Sequence, residues 1–548
     1  MTAPAGTFAG PPLETEAGIG SLTLGGLLRE TAARHRDREA IAFPTGDGGV
    51  ERWDYGRLEA ESRKLAKALV AAGVDKGTRV ALLMGNRPEW VAACFGVALA
   101  GGVLVPLNTF YEPRELAQVL GHCDAALLLS QHRLGHHDYE AQLGAITGQL
   151  PHLRRHLTLG TPEYDAFLRT GDAISDAALA DRSDAVSPYD DAVIIYTSGS
   201  TGMPKGVLHA HRPCALQSWR FAQQLRLDPS VRVWSAFPFF WTAGFCMVMG
   251  ATLAAGGCLV LQELFDPGEA LALLESERVT SPHAWPHQLA ALEDHPSWEG
   301  TDLSSLRHVV EFTSFGRHPT VHVGDVWSPR AAYGLTETFT IISSLPADTP
   351  ASEREGNEGI ILPGNVVRIV DRETGVPLPA GAPGEIRVKG PTLMKGYLKV
   401  APEEVFDTDG FFPTGDAGMV DDEGRLHWLG RTDDLIKTGG ANVSPVEIET
   451  ELLHHPDLHS ALAVGVPHDT LGQVVVVCAV AHPGRPVDED GVRAFLRGRL
   501  ASYKIPRHVL FFDEADLVMT GNAKIKVEEL RRLATARLAL SVSPEPSR

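Results

Sequence analysis

The stretch YTSGSTGMPKGV (196–207) gathers side chains suited to holding a polyphosphate. The apolar run DAVIIY (191–196) before it has the pattern of a buried strand, and a strand that opens into a Gly/Ser loop ends in exposed backbone N–H groups. Gly199, Gly202 and Gly206 let an anion approach closely. The hydroxyls of Thr197, Ser198, Ser200 and Thr201 can donate to its oxygens, and Lys205 can neutralise part of its charge. The loop is not a Walker A motif, because Pro204 precedes the lysine and Gly206 follows it, where GxxxxGK[ST] needs Gly before and Ser or Thr after. A flexible surface loop is the alternative for GSTG alone; Pro204 and Lys205 in place argue against it.

Further along, Tyr333-Gly334-Leu335-Thr336-Glu337 offers an aromatic that can stack on adenine, a hydroxyl for an α-phosphate and a carboxylate that can hold Mg²⁺ through hard oxygens. Taken alone, it reads equally as the capped start of a helix. In FPTGD (412–416), Asp416 follows a tight Gly turn and could accept bonds from vicinal ribose hydroxyls, although Asp at a turn is commonplace. PFFWTAGF (238–245), with Phe240, Trp241 and Gly244, can line an apolar pocket or be plain core. His132, His136 and His137 beside Asp138 invite a metal, but nothing nearby has ligand spacing and a solvated loop is favoured.

In this order, with GRTDD (430–434) and the closing MTGNAKIK (519–526), these segments resemble the AMP-forming adenylating enzymes: acyl-CoA synthetases, carrier-loading adenylation domains and luciferases. The resemblance implies activation of a carboxylic acid by ATP to an acyl-AMP with pyrophosphate release, then transfer to coenzyme A. It implies that Lys524 bridges the carboxylate and the α-phosphate, that Arg431 joins Asp416 at the ribose, and that Phe240 or Trp241 borders the acyl pocket. It makes Asp433 a hinge, beyond which Lys437, Gly439 and Gly440 attend the thiol. A hydrophobic or aryl acid is expected from the aromatic cluster, and CoA as acceptor because no appended carrier domain is legible. Alternatives are a separate carrier protein, an amine, or unusual adenylation such as nitrite activation for diazotisation. A nucleotide-binding regulator without turnover is the alternative outside enzymes. The sequence departs from the family at 306–319, where a strand running into Gly-Gly-Ala is expected and EFTSFGRHP follows LRHVV instead. It departs also at Trp241, where His is frequent, and at Val518 and Ala523.

The elements that must position these residues are legible as alternating strands and helices. Helices are expected over 23–35, 53–72, 88–100 and 113–120, and strands over 40–43, 78–84, 103–107, 125–129, 231–237 and 306–310. The βαβ pattern predicts an α/β fold: a large N-terminal domain of covered, mostly parallel sheets, with a small α+β C-terminal cap. The expected limits are a disordered 1–20, a large domain over 21–432 and a mobile domain over 433–548.

At 548 residues the chain can build several cores and enclose a deep site. Its 49 Lys plus Arg against 69 Asp plus Glu, a net charge of −20, argues against nucleic acid as a partner, so an anionic substrate must be held by local donors. Six scattered cysteines without a CxxC pair predict reduced, buried thiols. With no run of 18 apolar residues and no signal-peptide pattern, a cytoplasmic protein without a membrane span is expected.

Overall fold

The computed structural model describes residues 6–46, 48–197, 204–323, 327–329, 331–432, 434–438, 441–468, 471–497, 499–500, 504–513 and 527–542. The chain divides into two compact units. The larger holds Phe8–Val367 and Val388–Phe412; the smaller holds the described residues of Met1–Thr7, Arg368–Arg387 and Pro413–Arg548. A hinge at Asp433 lies outside the described residues, and the compact units are cut at other points: the segments on either side of 388–412 belong with the C-terminal residues, because strand pairing rather than chain order groups them.

In the larger unit the strand Asp191–Thr197 runs parallel to Val103–Pro106. That strand is followed by Arg79–Leu83, Leu127–Ser130 and Arg155–Thr158, all parallel, in a seven-stranded sheet. The inner strands are mostly apolar because helices cover both faces, as in Leu127–Ser130, buried at every position, whereas the edge strand Arg155–Thr158 is buried only at Leu157. The helices Tyr55–Ala71 and Pro88–Leu99 supply part of that cover; the second is buried at all but one residue, so it has no polar face. A second sheet, in the order Ser281–His283, Arg232–Ser235, Cys258–Val260, Glu39–Pro44 and Val50–Asp54, is parallel except for its last pair. The helix Leu24–His35 begins where the Thr23 side chain accepts a bond from the Gly26 N–H.

In the smaller unit, Phe412–Val420 and Leu426–Arg431 form an antiparallel pair. A mainly antiparallel sheet of Ile436–Thr438, Ala441–Val443, Leu458–His468, Gly472–Ala481 and His508–Phe511 carries the helices Pro445–Leu452, Glu489–Leu496 and Val527–Val542. Among the described residues, no helix is long and apolar enough to cross a membrane. All six cysteines are buried, unpaired thiols, and burial pushes Cys123 up to about 12.

Two expectations fail, and one open alternative is decided. The strand expected over 306–310 does not form; only the N–H groups of Arg307 and His308 reach the Thr280 carbonyl, at 2.9 and 3.0 Å. The YGLTE segment is not a helix start. Ala332–Leu335 is a strand paired with Thr340–Ser344, and Thr336–Thr338 is a single 3₁₀ turn between them. The disorder expected over 1–20 does not extend through the described residues from Phe8 on: the Gly10 N–H donates to the Asn365 carbonyl at 2.9 Å and the Gly364 N–H to the Pro11 carbonyl at 2.7 Å. Glu16 explains the tether. Its carboxylate takes three contacts from the completely buried Arg220, Nε to Oε1 at 2.9 Å and to Oε2 at 3.1 Å and Nη2 to Oε2 at 2.7 Å, and Nη2 also donates to the Pro363 carbonyl.

A buried guanidinium cannot shed its proton, and Arg220 Nη1 already lacks a partner. Removing Glu16 would therefore strand a charge in the core. We expect Glu16→Ala to destabilise the fold by about 3–5 kcal/mol in urea denaturation, and Glu16→Gln combined with Arg220→Met to recover most of that loss. A midpoint unchanged in Glu16→Ala would refute the interpretation.

Candidate functional site

The strands Asp191–Thr197 and Lys205–Ala210 pair antiparallel, one before and one after the Gly/Ser segment in sequence, with Thr197 opposite Lys205 in register. Ser198, Gly199, Ser200, Thr201 and Gly202 lie outside the described residues; the two residues that anchor the loop do not. The Lys205 Nζ stands 5.0 Å from the centroid of the Tyr397 ring. Tyr397 is there because the short strand Gly396–Tyr397 pairs with the outer edge of Lys205–Ala210, Val207 opposite Tyr397 and Leu208 opposite Gly396.

The Tyr397 hydroxyl then donates to Glu337 Oε1 at 2.6 Å, and the Glu337 carbonyl accepts from the Met394 N–H at 2.7 Å. A cation, a phenol and a carboxylate thus form a line from the loop to the 3₁₀ turn. One carboxylate oxygen of Glu337 is engaged, and a carboxylate with a second oxygen is a suitable hard donor for Mg²⁺.

The turn itself is fixed from beneath. His209 alternates inward on the strand Lys205–Ala210, is completely buried, and bonds through Nε2 to the Thr336 carbonyl at 2.8 Å. Its ring packs edge-on against Phe339, centroids 4.9 Å apart. Gln217 Nε2 donates to the carbonyls of Thr338 and Ile341, at 3.1 and 2.6 Å. Gly334 is required beside this turn, since a Cβ there would lie 1.7 Å from the Thr340 carbonyl oxygen. Tyr333 is buried, its backbone opposite Ser343. Thr197, Lys205, Gly334, Thr336 and Glu337 thus belong to one neighbourhood. His209 and Tyr397 were missed in the sequence. The inward position of His209 in an otherwise apolar strand was the available signal; for Tyr397 there was none before the pairing was known.

The aromatic segment divides. Phe239 and Phe245 pack on the buried Trp90, with centroids 5.3 and 5.8 Å away, and are core. Phe240 turns instead toward Trp241 and the half-exposed Phe110, at 5.0 and 6.1 Å. Gly244 opens the π-helix Ala243–Gly250, where a Cβ would meet the Pro238 carbonyl oxygen at 2.1 Å. Its role in this structure is close packing, and a wide i→i+5 turn of this kind is frequent beside functional sites.

In the smaller unit, Asp416 and Arg431 face each other across the antiparallel pair, Nη1 to Oδ1 at 3.1 Å, and the same Nη1 donates to the Thr414 carbonyl at 3.0 Å. Asp416 is buried while the Arg431 side chain is half exposed. Lys437 lines a cleft of about 430 Å³ with Arg372, Met419, Leu435 and the ion pair Lys504–Glu447. Asp433, Gly439, Gly440 and Lys524 lie outside the described residues.

Burial lowers the pKa of His209 to about 3, against the opposing pull of the Thr336 carbonyl, and those of His211 and His283 to about 4. These imidazoles are neutral in the fold. Below pH 6.5 the unfolded chain binds protons that the native chain refuses, so stability should fall as pH drops from 6.5 toward 4 and 3. Each group contributes about 1.4 kcal/mol per pH unit in that window. His209→Asn should flatten the slope of the urea midpoint against pH between 6.5 and 3 by one proton; an unaltered slope would show that His209 does not titrate this way.

Residues 28–398 match the AMP-binding enzyme family, and residues 447–524 match the AMP-binding enzyme C-terminal domain. The chain is 34% identical over 486 residues to feruloyl-CoA synthase of Amycolatopsis sp, covering 87% of this chain and 93% of that protein. It is 33% identical over 524 residues to indoleacetate–CoA ligase of Aromatoleum aromaticum, covering 93% and 98%. Among solved structures, ATP-bound MatB from Rhodopseudomonas palustris superposes with a TM-score of 0.72 at 29% identity, over 93% of this chain and 99% of that one. On these matches, the chain belongs to the AMP-binding enzyme family and is an AMP-forming acid–CoA ligase that uses ATP and CoA.

Proposed function

We propose that the enzyme activates a hydrophobic or aryl carboxylic acid as its acyl-AMP and passes the acyl group to the thiol of CoA. The observation that carries this reading is the line Lys205–Tyr397–Glu337, which couples the base of the phosphate loop to the turn bearing Thr336. Two of the relatives support an aryl acid: one is a feruloyl-CoA synthase, the other an indoleacetate–CoA ligase.

A carboxylate is a poor acyl donor because oxide would have to leave. Attack of its oxygen on the α-phosphorus of ATP forms the new O–P bond, breaks the bond to the β-phosphate oxygen and releases pyrophosphate. The acyl carbon then carries AMP as a good leaving group. Charge accumulates on phosphorus and on the departing pyrophosphate, so positioned donors and cations should set the rate. We assign the loop from Thr197 to Lys205 to the β- and γ-phosphates, Thr336 to the α-phosphate and Lys524 to bridging the carboxylate and the α-phosphate. Tyr333 and Gly334 are assigned to the adenine, and Asp416 with Arg431 to the ribose. Glu337 would hold Mg²⁺, which would neutralise pyrophosphate charge. Phe240 and Trp241 are assigned to the acyl pocket, with Gly244 bending the chain behind them.

The thiol must approach the carbonyl that Lys524 attends during adenylation, and one position cannot serve both. Rotation about Asp433 would exchange them, with Lys437, Gly439 and Gly440 along the path of the pantetheine arm.

The test is a screen of acids by pyrophosphate release, with CoA and with amines as acceptors. The reading predicts release that requires an aryl or hydrophobic acid, followed by CoA-dependent release of AMP. Transfer only to amines, or nucleotide binding without pyrophosphate, would overturn it. Lys524→Ala should lose adenylation with less effect on thioester formation from supplied acyl-AMP; equal loss of both steps would remove its assigned role. Tyr397→Phe should lower kcat/KM for pyrophosphate release about tenfold, the worth of one charge-assisted hydrogen bond, with an unchanged fold by circular dichroism.

A further inference from the structure

Of the four residues 132, 136, 137 and 138 that invite a metal by sequence, the structure keeps two and recruits a third from another element. His132 turns to Glu140, Nε2 to Oε2 at 2.6 Å. Asp138 uses Oδ1 to cap the helix Tyr139–Ile146, accepting from the Ala141 N–H at 3.0 Å, and Oδ2 to accept from Arg133 at 2.8 Å. His136 and His137 meet Glu112 instead. Each of the three offers one ligand atom, and the three atoms lie within 4.8 Å of one another.

We propose that Glu112, His136 and His137 form a binding site for a borderline divalent cation of the Zn²⁺ class. Two imidazoles and one carboxylate suit Zn²⁺, Ni²⁺ or Cu²⁺ and disfavour Mg²⁺, so the site is separate from any Mg²⁺ that accompanies ATP. Backbone geometry supports it. The hairpin Arg133–Leu134 with His137–Asp138 turns at Gly135, and the two imidazoles lie with centroids 4.0 Å apart. The Glu112 N–H donates to Glu115 Oε2 at 3.0 Å, which fixes its backbone at the start of the helix Pro113–His122.

An independent observation concerns the buried member. His137 Nδ1 lies 3.1 Å from the Gln142 amide nitrogen, while the Gln142 Oε1 is buried without a partner. Turning the amide over lets Oε1 accept from Nδ1–H, satisfies the orphaned oxygen and leaves Nε2 of His137 with its lone pair for a metal. Ligand bonds of about 2.0–2.1 Å in a tetrahedral site require donor separations of about 3.4 Å, so from separations of up to 4.8 Å the cluster tightens by at most about 1.4 Å. Glu112 and His136 are exposed and can make that adjustment.

Three ligands leave a fourth position for water or an external group. Closing the site joins the hairpin to the segment 108–112, whose Phe110 ring packs edge-on against Phe240. The cation would thus restrain a loop that touches the aromatic cluster.

The test uses the full chain without an affinity tag, stripped by chelator and titrated with Zn²⁺ against a chromophoric chelator in excess Mg²⁺. One equivalent should bind, raising the thermal midpoint, and hydrogen exchange over 108–112 and 133–138 should slow. His136→Asn, an exposed position that leaves folding intact, should abolish all three effects. Gln142→Leu should weaken uptake about 10- to 100-fold, the usual scale for losing a group that orients a ligating imidazole. Uptake unchanged in His136→Asn, absence of a stoichiometric equivalent, or slowed exchange only elsewhere would overturn the proposal.

Discussion

The turn that carries Thr336 and Glu337 is held by side chains from other elements, and its geometry would be costly without them. Phe339 and Thr340, which follow the 3₁₀ turn, sit at φ 47° and 95°, in the left-handed region that side chains with a Cβ avoid. Such residues cost of order 1–3 kcal/mol each and persist where the surroundings over-determine them. Here His209 bonds the Thr336 carbonyl, Gln217 the carbonyls of Thr338 and Ile341, and the Thr338 hydroxyl the carbonyls of Leu335 and Thr340. Phe339 is buried against His209 and Phe245. The strain is thus concentrated beside the Thr336 hydroxyl and the Glu337 carboxylate.

The same histidine links this turn to the strand that begins at Lys205. His209 belongs to the strand whose first residue is Lys205, so the element that ends the loop also fixes the height of the turn. The link does not depend on charge: burial keeps the imidazole neutral to about pH 3, and in that state its Nε2–H donates to the Thr336 carbonyl. Tyr397 closes the arrangement from the other side, its ring under the Lys205 ammonium and its hydroxyl on Glu337. A cation over an aromatic face and a phenol on a carboxylate keep opposite charges near each other without a direct ion pair, which leaves the ammonium available to an anion.

The smaller unit uses a direct pair. Asp416 is buried and Arg431 is half exposed, so the carboxylate orients the guanidinium toward solvent from a fixed base. The bond from Arg431 to the Thr414 carbonyl adds a second restraint. The aromatic segment 238–245 shows packing sorting residues of one type: Phe239 and Phe245 wedge Trp90 into the core, whereas Phe240 meets Trp241 and the half-exposed Phe110.

By itself the sequence determined the order of the motifs and much of the alternation of strand and helix. Each of these is written in neighbouring residues: apolar runs that need cover on both faces, glycines and hydroxyls in one turn, aspartates and threonines before helices. It did not determine that YGLTE is a strand followed by a single 3₁₀ turn, because Thr336-Glu337 suits a helix start until the strand Thr340–Ser344 claims the backbone of Ala332–Leu335. Nor did it pair Glu112 with His136 and His137, or keep the residues around Glu16 ordered against Arg220. Tyr397 is the clearest case. Only the register of Gly396–Tyr397 on Val207–Leu208 brings a phenol to Lys205 and Glu337, and register between segments remote in sequence is fixed by the packed sheet, not by local pattern.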